Sequence, residues 1–252
     1  MKVRIDKLLF DRGIAPSRQR AQALILAGRV LVDDQKVEKP GTTVADDAAL
    51  RVLGDDLRYV SRGGLKLERA LAYWKIDLNG KICLDVGAST GGFTDCMLQH
   101  GAARVIAIDT GYGQIDVRLR QDSRVHLLEK TNARYLTAEQ FTVKPDFVAM
   151  DVSFISATLV LPAVVSAIRA KAGDEVGFEA VVLVKPQFEA GRQSIGKGGI
   201  VRDEQAQLGA LERVKEAVLQ LGAAGIESID SPILGAEGNR EFLLHARFFK
   251  TG

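Results

Sequence analysis

The sequence has few of the residues on which disulfide-linked or metal-dependent folds rely. Its 252 residues include two cysteines, three histidines and one tryptophan. Neither Cys83 nor Cys96 has a histidine at metal-ligand spacing, so we expect no zinc site and no disulfide scaffold. The formal net charge is only +2, which excludes a uniformly basic or acidic chain.

Long hydrophobic runs are also missing. A membrane-spanning helix needs roughly 18 or more consecutive apolar residues. The longest candidate, residues 157–168, is shorter than that and contains Pro162. Charges also interrupt the N-terminal segment MKVRIDKLLFDRG too early for the apolar part of a signal peptide. We therefore expect a cytoplasmic protein with reduced cysteines and no stable membrane association.

What is present is typical of a folded α/β protein with a small additional domain. Hydrophobic residues make up 46% and charged residues 26% of the sequence, which argues against disorder. Two short helical patterns and a small hairpin sheet fill the first 55 or so residues. From residue 80 onward the pattern alternates between strand and helix, which is typical of a parallel sheet. We predict domains at 1–56 and 65–252, joined by a linker at 57–64.

The pattern is specific enough to place the elements of the larger domain. Predicted strands cover residues 82–86, 104–109, 125–128, 147–151 and 180–184. Predicted helices cover residues 65–74, 92–100, 137–140, 156–170 and 203–221. No helix separates the last two strand-like runs, 226–231 and 241–249, so we expect them to pair antiparallel.

A basic segment stands at the N-terminus. Residues 1–31 hold seven basic residues and only two acidic ones. Such an excess is expected of a surface that binds a polyanion, although a solvated helix surface would look the same. As candidate RNA contacts we select Arg4, Lys7, Arg18, Arg20 and Arg29.

A glycine-rich loop follows the first predicted strand of the larger domain. The loop, GASTGGF, lets the backbone approach a ligand closely and leads into a helix N-terminus. It does not match the dinucleotide pattern G-x-G-x-x-G, and Asp85 precedes it, where a carboxylate suits a cationic ligand. Asp109, at the end of the next strand, could bind ribose hydroxyls. This favours S-adenosylmethionine over a nicotinamide, with a ligand-free glycine turn as the alternative.

Four polar residues lie where catalytic groups are expected. Asp151 and Lys185 end predicted strands, and ligands of open α/β sheets bind at that edge. Lys66 lies in the helix before the first strand, and Glu241 begins the last strand. A lysine is almost fully protonated at neutral pH, but burial or a second nearby lysine lowers its pKa toward that of a general base. Ordinary surface ion pairs are the alternative.

These motifs resemble a known family. Residues 3–44 resemble the RNA-binding domain named after small-subunit ribosomal protein S-four, and the remainder resembles the FtsJ-like ribose 2′-O-methyltransferases. In this order, with YVSRGGLKLERAL between them, they resemble the TlyA family, also called hemolysin A. The resemblance covers almost the whole chain and rests on motifs such as DVGASTGGF, TNAR, MDVSFIS, LVKPQFEAGR and GNREFL.

The resemblance implies a class I methyltransferase (Rossmann-like) fold with a mostly parallel sheet and a reversed C-terminal hairpin, plus a small α+β RNA-binding domain. It implies transfer of a methyl group from S-adenosylmethionine to cytidine ribose in ribosomal RNA of the small or large subunit. The implied catalytic residues are Lys66, Asp151, Lys185 and Glu241. The implied cofactor contacts are Gly87, Ser89, Thr90, Gly91, Gly92, Phe93, Asp109, Asn132 and Ala133.

Two other functions remain open from the sequence. A cytolysin, as the second family name suggests, would need a membrane-active segment, which the sequence does not show. A non-catalytic RNA-binding protein would have lost the cofactor loop, which is intact here. The expected partners are ribosomal RNA or ribosomal subunits, and no protein partner is evident. We also expect residues 187–202 to be too glycine-rich to pack, forming a mobile lid or a disordered connection.

Overall fold

The chain folds into two compact units. A computed structural model describes residues 2–15, 17–53, 58–172, 177–196, 198–235 and 238–249. The units are Met1–Asp56 and Leu57–Gly252. The predicted end of the first domain, at residue 56, lies outside the described residues. Among the described helices, none is both long and apolar enough to cross a membrane.

The N-terminal unit has two helices and two small sheets. Its helices are α1 (Ile5–Asp11) and α2 (Arg18–Leu26), and its strands are β1 (Lys2–Arg4), β2 (Val30–Val32), β3 (Gln35–Val37), β4 (Thr43–Ala45) and β5 (Leu50–Val52). Ser17 caps α2, because its hydroxyl accepts a hydrogen bond from the Arg20 backbone N–H at 3.1 Å. Ile5, Leu9 and Ile25 are fully buried in a core beside the three-stranded sheet, whose strand order is β3-β2-β5. The pairing of β1 with β4 was not predicted.

The C-terminal unit is built on a seven-stranded sheet. Its strands are β6 (Ile82–Val86), β7 (Arg104–Ile108), β8 (Val125–Leu128), β9 (Phe147–Met150), β10 (Phe178–Val184), β11 (Ala223–Asp230) and β12 (Phe242–Phe248). Their order is β11-β12-β10-β9-β6-β7-β8, and β12 runs antiparallel to both neighbours. The predicted parallel sheet with a reversed last hairpin is therefore confirmed.

Helices cover both faces of this sheet. The helices are α3 (Gly63–Trp74), α4 (Gly92–Gln99), α5 (Val117–Gln121), α6 (Ala157–Ala172), α7 (Pro186–Glu189) and α8 (Glu204–Gln220). Alternate residues of a strand point to opposite faces. Leu84 and Val86 therefore join the core beneath α6 and α8, whereas Cys83 joins the core beneath α3 and α4. Burial on both faces explains why the strands read as continuous apolar runs.

The strand order creates a crevice beside β6. The chain passes outward from β6 to β7 and β8, then returns to place β9 on the other side of β6. Ligands of open α/β sheets bind at such a reversal, outside the carboxyl ends of the strands. The loops that leave β6, β9 and β10 carry Gly87, Asp151 and Lys185 to this edge.

The segment proposed as a linker packs within the C-terminal unit. Tyr59 is 2% exposed, and the Val60 backbone N–H donates a hydrogen bond to Asp95 at 2.7 Å. A Cβ atom on Gly64 would lie 2.3 Å from Tyr59, so this close approach requires glycine. Helix α3 already begins at Gly63. Within the described residues, the segment from 58 to 62 is thus part of the packed unit, and Leu57 lies outside them.

The expectation that residues 187–202 cannot pack is wrong near the two ends of this segment, whereas most of the described residues from 191 to 199 are exposed. Val201 is 1% exposed. The Asn239 side chain accepts a hydrogen bond from the Val201 backbone N–H and donates one to the Gly199 carbonyl, both at 3.0 Å. Gln207 donates to the Val201 carbonyl at 2.7 Å. The side-chain amides of Asn239 and Gln207 thus hold the backbone of this segment at residues 199–201. Lys197 lies outside the described residues.

Candidate active site

The glycine-rich loop after β6 passes directly against the end of β9. Gly87 has a φ of +88°, and a Cβ atom there would lie 2.5 Å from the Asp151 carbonyl oxygen. Gly91 has a φ of +95° and immediately precedes the first residue of α4. A Cβ atom on Gly91 would lie 2.3 Å from the Leu119 side chain. Glycine is therefore required at both positions, because a side chain would clash and strain the backbone.

Asp109 is oriented by the loop that it faces. Its carboxylate accepts hydrogen bonds from the backbone N–H groups of Ser89 at 2.7 Å and Gly111 at 2.6 Å. Each carboxylate oxygen has a second acceptor site. The fixed carboxylate can therefore still accept hydrogen bonds from the two hydroxyls of a ribose.

A cavity of about 290 Å³ lies beside Asp109. Asn132 and Ala133 line it, together with the apolar side chains of Val86, Ile108 and Val160. A carboxylate beside an apolar wall fits a nucleoside, with the acid at the sugar and the wall at the base. The predicted cofactor residues that line this cavity are Gly87, Ser89, Asp109, Asn132 and Ala133.

A second cavity of about 290 Å³ shares Gly87, Ser89 and Asp151 with the first. It extends along the start of α4, where Thr90, Gly92 and Phe93 line it. The predicted catalytic residues Lys66, Asp151, Lys185 and Glu241 all border this second cavity. The two cavities thus form one cleft from the ribose-binding carboxylate to the four charged side chains, which suits a donor molecule the size of S-adenosylmethionine.

Lys66 and Glu241 form one of two close ion pairs in this cleft. Their Nζ and Oε2 atoms are 2.5 Å apart, with Lys66 8% and Glu241 3% exposed. Lys66 lies in the first turns of α3, and Glu241 immediately precedes β12. Removing one member of a buried pair leaves an uncompensated charge, which costs about 3–5 kcal/mol. Each residue therefore holds the other at the cavity wall.

Lys185 and Asp151 form the second pair. Lys185 Nζ lies 2.5 Å from Asp151 Oδ1, but this oxygen lies outside hydrogen-bonding geometry. The Lys185 ammonium donates a hydrogen bond to the Ser153 hydroxyl oxygen at 2.7 Å. Pro186 follows Lys185 and favours extended backbone there, as observed from its φ of −112° and ψ of 102°. The lysine is thus held by two neighbours from the loop after β9.

Ser153 was not among the residues selected from the sequence. It lies two positions after Asp151 in the MDVSFIS motif and lines both halves of the cleft. Serine in an irregular segment usually bonds to nearby backbone, so its residue type alone carries no catalytic signal. Only the fold shows that its hydroxyl meets a lysine 32 positions later.

Two predicted cofactor residues do not border the cleft. Gly91 shapes the turn, as described above. Asp85 is fully buried beneath the loop, where one oxygen accepts a hydrogen bond from Thr94 at 2.6 Å and the other has no hydrogen-bond partner among the described residues. Burial raises the pKa of Asp85 to about 7, despite the Thr94 hydrogen bond, which favours the charged form. Asp85 can influence a ligand only through the loop above it.

The basic residues of the N-terminal unit are arranged around a buried acid. Asp6 is 0% exposed and accepts hydrogen bonds from Arg4 at 2.9 and 3.0 Å and from Arg18 at 3.1 Å. The Arg4 guanidinium, assisted by Gln22 and Arg18, holds the pKa of Asp6 well below its usual range. Both arginine side chains remain about half exposed. Their outer N–H groups are thus oriented toward solvent from a common anchor.

The other three candidate RNA contacts lie on the same unit. Lys7 is exposed and pairs with Asp11 at 2.5 Å, one helical turn away. Arg29 donates to the Leu53 carbonyl at 2.7 Å. Arg20 lies in the first turn of α2. These contacts leave the predicted RNA-binding role of the three side chains as a proposal.

Comparison with known proteins identifies the family. The FtsJ-like methyltransferase family matches residues 59–248. This chain belongs to that family. The S4 domain family matches residues 3–49, which places an RNA-binding type of domain in front of the methyltransferase. The fold class predicted from the sequence is confirmed by these matches and by the strand order.

Individual relatives narrow the family to its TlyA members. The chain is 45% identical over 247 residues to the 16S/23S rRNA (cytidine-2′-O)-methyltransferase TlyA of Mycobacterium tuberculosis, covering 98% of this chain and 90% of that protein. It is 40% identical over 244 residues to Hemolysin A of Brachyspira hyodysenteriae, covering 96% and 99%. A solved structure from Streptococcus thermophilus has a TM-score of 0.76 at 43% identity, covering 98% and 89%. The predicted resemblance to the TlyA family is confirmed.

Proposed function

We propose that this protein transfers a methyl group from S-adenosylmethionine to the 2′-hydroxyl of a cytidine in ribosomal RNA. The observation that carries the proposal is the single cleft in which Lys185 and Asp151 lie beside the glycine-rich loop. The TlyA relative of Mycobacterium tuberculosis supports cytidine and both ribosomal RNAs as the substrate class. Such a substrate supports a cytoplasmic location.

The cleft residues divide into those that hold the donor and those that act on the substrate. Asp109 would bind the donor ribose, Asn132 and Ala133 its base, and the loop from Gly87 to Phe93 the remainder. S-adenosylmethionine bound there would supply a methyl group on a sulfonium, and its transfer to the 2′ oxygen would break the carbon–sulfur bond. Holding both partners in line can supply up to about 7–11 kcal/mol of the barrier reduction.

Lys185 accepts the proton that the 2′-hydroxyl must lose. Accepting a proton requires the amine form of Lys185, and the proton moves from the 2′ oxygen to Nζ during methyl transfer. The carboxylate of Asp151, 2.5 Å from Nζ, stabilises the ammonium that forms. Lys185 then releases the proton to water before the next turnover.

Lys66 and Glu241 position the substrate ribose. The Lys66 ammonium uses one N–H for Glu241, which leaves two donors for the hydroxyls of the target nucleotide. Glu241 balances the positive charge in a site where the second lysine must also become charged. We therefore assign this pair to orientation and charge balance, and Lys185 to the proton transfer.

The N-terminal unit supplies affinity for RNA. Arg4, Lys7, Arg18, Arg20 and Arg29 would contact phosphates, which gives salt-dependent binding with little sequence preference. Selection of the nucleotide then depends on the geometry of the cleft. This division between affinity and chemistry is typical of enzymes that carry a separate nucleic-acid-binding domain.

The proposal is tested by incubating the purified protein with labelled S-adenosylmethionine and deproteinised ribosomal RNA or isolated subunits. The expected result is labelled RNA that resists alkaline cleavage at the phosphodiester bond on the 3′ side of the methylated nucleotide, because 2′-O-methylation blocks that cleavage. Lysis of erythrocytes by the same preparation without RNA methylation would favour a cytolysin. RNA binding without measurable binding of S-adenosylmethionine would indicate a non-catalytic protein.

A further inference from the structure

A serine in the cleft makes a contact that the four charged residues do not account for. The Ser153 hydroxyl oxygen accepts the hydrogen bond from Lys185 Nζ at 2.7 Å. The residue is exposed, and it lines both the donor cavity and the cavity that contains the two ion pairs. It also lines a third cavity of about 360 Å³, bordered by Lys185, Phe188 and Glu241. Ser153 therefore stands where the three cavities meet.

The geometry around Lys185 Nζ limits where its lone pair can point. A neutral amine has two N–H bonds and one lone pair in roughly tetrahedral directions, and it rotates easily about its bond to carbon. Asp151 Oδ1 is close to Nζ but lies outside hydrogen-bonding geometry. This ion pair therefore constrains the distance between the two groups more than the rotation of the amine about its bond to carbon. The Ser153 contact has hydrogen-bond geometry and fixes the rotation.

We propose that Ser153 is a positioning residue that, together with Asp151, turns the lone pair of the Lys185 amine toward the substrate hydroxyl. This inference rests on the proposed function. The serine forms no bond with the substrate and takes no proton. It accepts an N–H of Lys185 before proton transfer and retains that hydrogen bond afterward, so the amine does not have to reorient during the reaction.

The local structure offers a matched control. Ser156 lies three residues later in the same loop, but its hydroxyl donates to Glu189 Oε2 at 2.5 Å and does not contact Lys185. Replacing Ser156 with alanine removes a serine hydroxyl and its contact with Glu189 from the same loop while leaving the Ser153–Lys185 contact in place. Ser153→Thr retains the hydroxyl, and the exposed position leaves room for the added methyl group.

The experiment measures methyl transfer to ribosomal RNA by the full-length wild type and the Ser153→Ala, Ser153→Thr and Ser156→Ala variants. For Ser153→Ala we expect kcat to fall about 10- to 100-fold, the size of effect that misplacing a catalytic group produces. The KM for RNA and the calorimetric Kd for S-adenosylmethionine should stay within about twofold. Ser153→Thr should recover most of kcat, and Ser156→Ala should retain it.

Three outcomes with the variants would overturn this inference alone. Normal kcat in Ser153→Ala would show that the contact does not matter, while an equal loss in Ser156→Ala would assign the effect to the loop. Failure of Ser153→Thr to recover activity, with normal thermal stability and donor binding, would show that the hydroxyl is not the relevant group. A wild type that binds S-adenosylmethionine yet methylates no ribosomal RNA would overturn the proposed function as well, which separates the two failures.

Discussion

The two units of this protein use charge in opposite ways. In the N-terminal unit, Arg4 and Arg18 are about half exposed and share one buried acid, Asp6. In the C-terminal unit, the side chains of Lys66 and Lys185 are only 11% and 10% exposed and each has a carboxylate partner at 2.5 Å. Exposed charges are screened by salt, and buried ones much less. The first arrangement suits binding to a polyanion, and the second suits proton transfer.

The largest expected effect comes from removing the buried base. Lys185→Ala should reduce methyl transfer by about 10²–10⁴-fold, the usual contribution of a positioned acid or base. Binding of S-adenosylmethionine, measured by calorimetry, should remain near the wild-type value because Lys185 does not line the nucleoside half of the cleft. Lys215→Ala, on the surface of α8, serves as a control. Near-normal turnover of Lys185→Ala would disprove its role.

A smaller effect is expected from removing exposed charge in the other unit. The double variant Arg4→Ala/Arg18→Ala should bind ribosomal RNA about tenfold more weakly at physiological salt, with a salt dependence shallower by about one unit per lost phosphate contact. Donor binding should not change. Titrations at several salt concentrations check this, and an unchanged slope would mean that these arginines do not contact phosphates.

The buried acid of the N-terminal unit can be tested through stability. Asp6→Asn should lower the unfolding free energy of that unit at neutral pH by about 1–3 kcal/mol, because two arginines lose a charged acceptor. The pKa of Asp6 is lowered in the folded state. Its contribution is therefore present above the unfolded pKa of about 3.9 and is lost as the pH falls through the folded value. Urea unfolding at neutral and acidic pH should show that the difference in unfolding free energy between wild type and Asp6→Asn is smaller in acid.

The smallest effect, and one of opposite sign, is expected at Asp85. Its folded pKa of about 7 lies above the unfolded value, so the folded state binds an extra proton between these pH values. Wild-type stability should therefore gain from this group as the pH falls below about 7. Asp85→Asn should remove that pH dependence and be better tolerated at pH 8 than at pH 5. Thermal unfolding of both proteins across this pH range checks the prediction. If the stability of wild type and Asp85→Asn depended equally on pH, the assigned burial effect would be contradicted.

The sequence was most informative where local pattern and function coincide. The strands β6 and β8 begin and end where predicted, because buried parallel strands are short apolar runs between polar turns. The cleft brings the four predicted catalytic residues together. Asp151 and Lys185 meet there because the carboxyl ends of parallel strands lie at one edge of a sheet, whereas Lys66 comes from α3 and Glu241 precedes the antiparallel strand β12. That Asp109 faces the glycine-rich loop also follows from this rule.

Contacts between distant segments were beyond reach of the sequence. The pairing of β1 with β4 joins residues about forty positions apart and involves strands of three residues, too short to show a period. The Asn239 amide that holds Val201, and the hydroxyl of Ser153 on Lys185, depend on side-chain positions that only the complete fold determines. For the same reason Asp85 was assigned to the ligand, although the structure places it one layer beneath.

The central claim is that this protein, through its buried Lys185, methylates a ribose of ribosomal RNA that is otherwise unmethylated in the cell. The direct measurement maps 2′-O-methyl groups in ribosomal RNA from three strains. These are cells without the protein and the same cells complemented with either the wild type or Lys185→Ala. The account predicts at least one cytidine whose ribose methylation is restored by the wild type and not by the variant. Identical methylation maps in all three strains would contradict it.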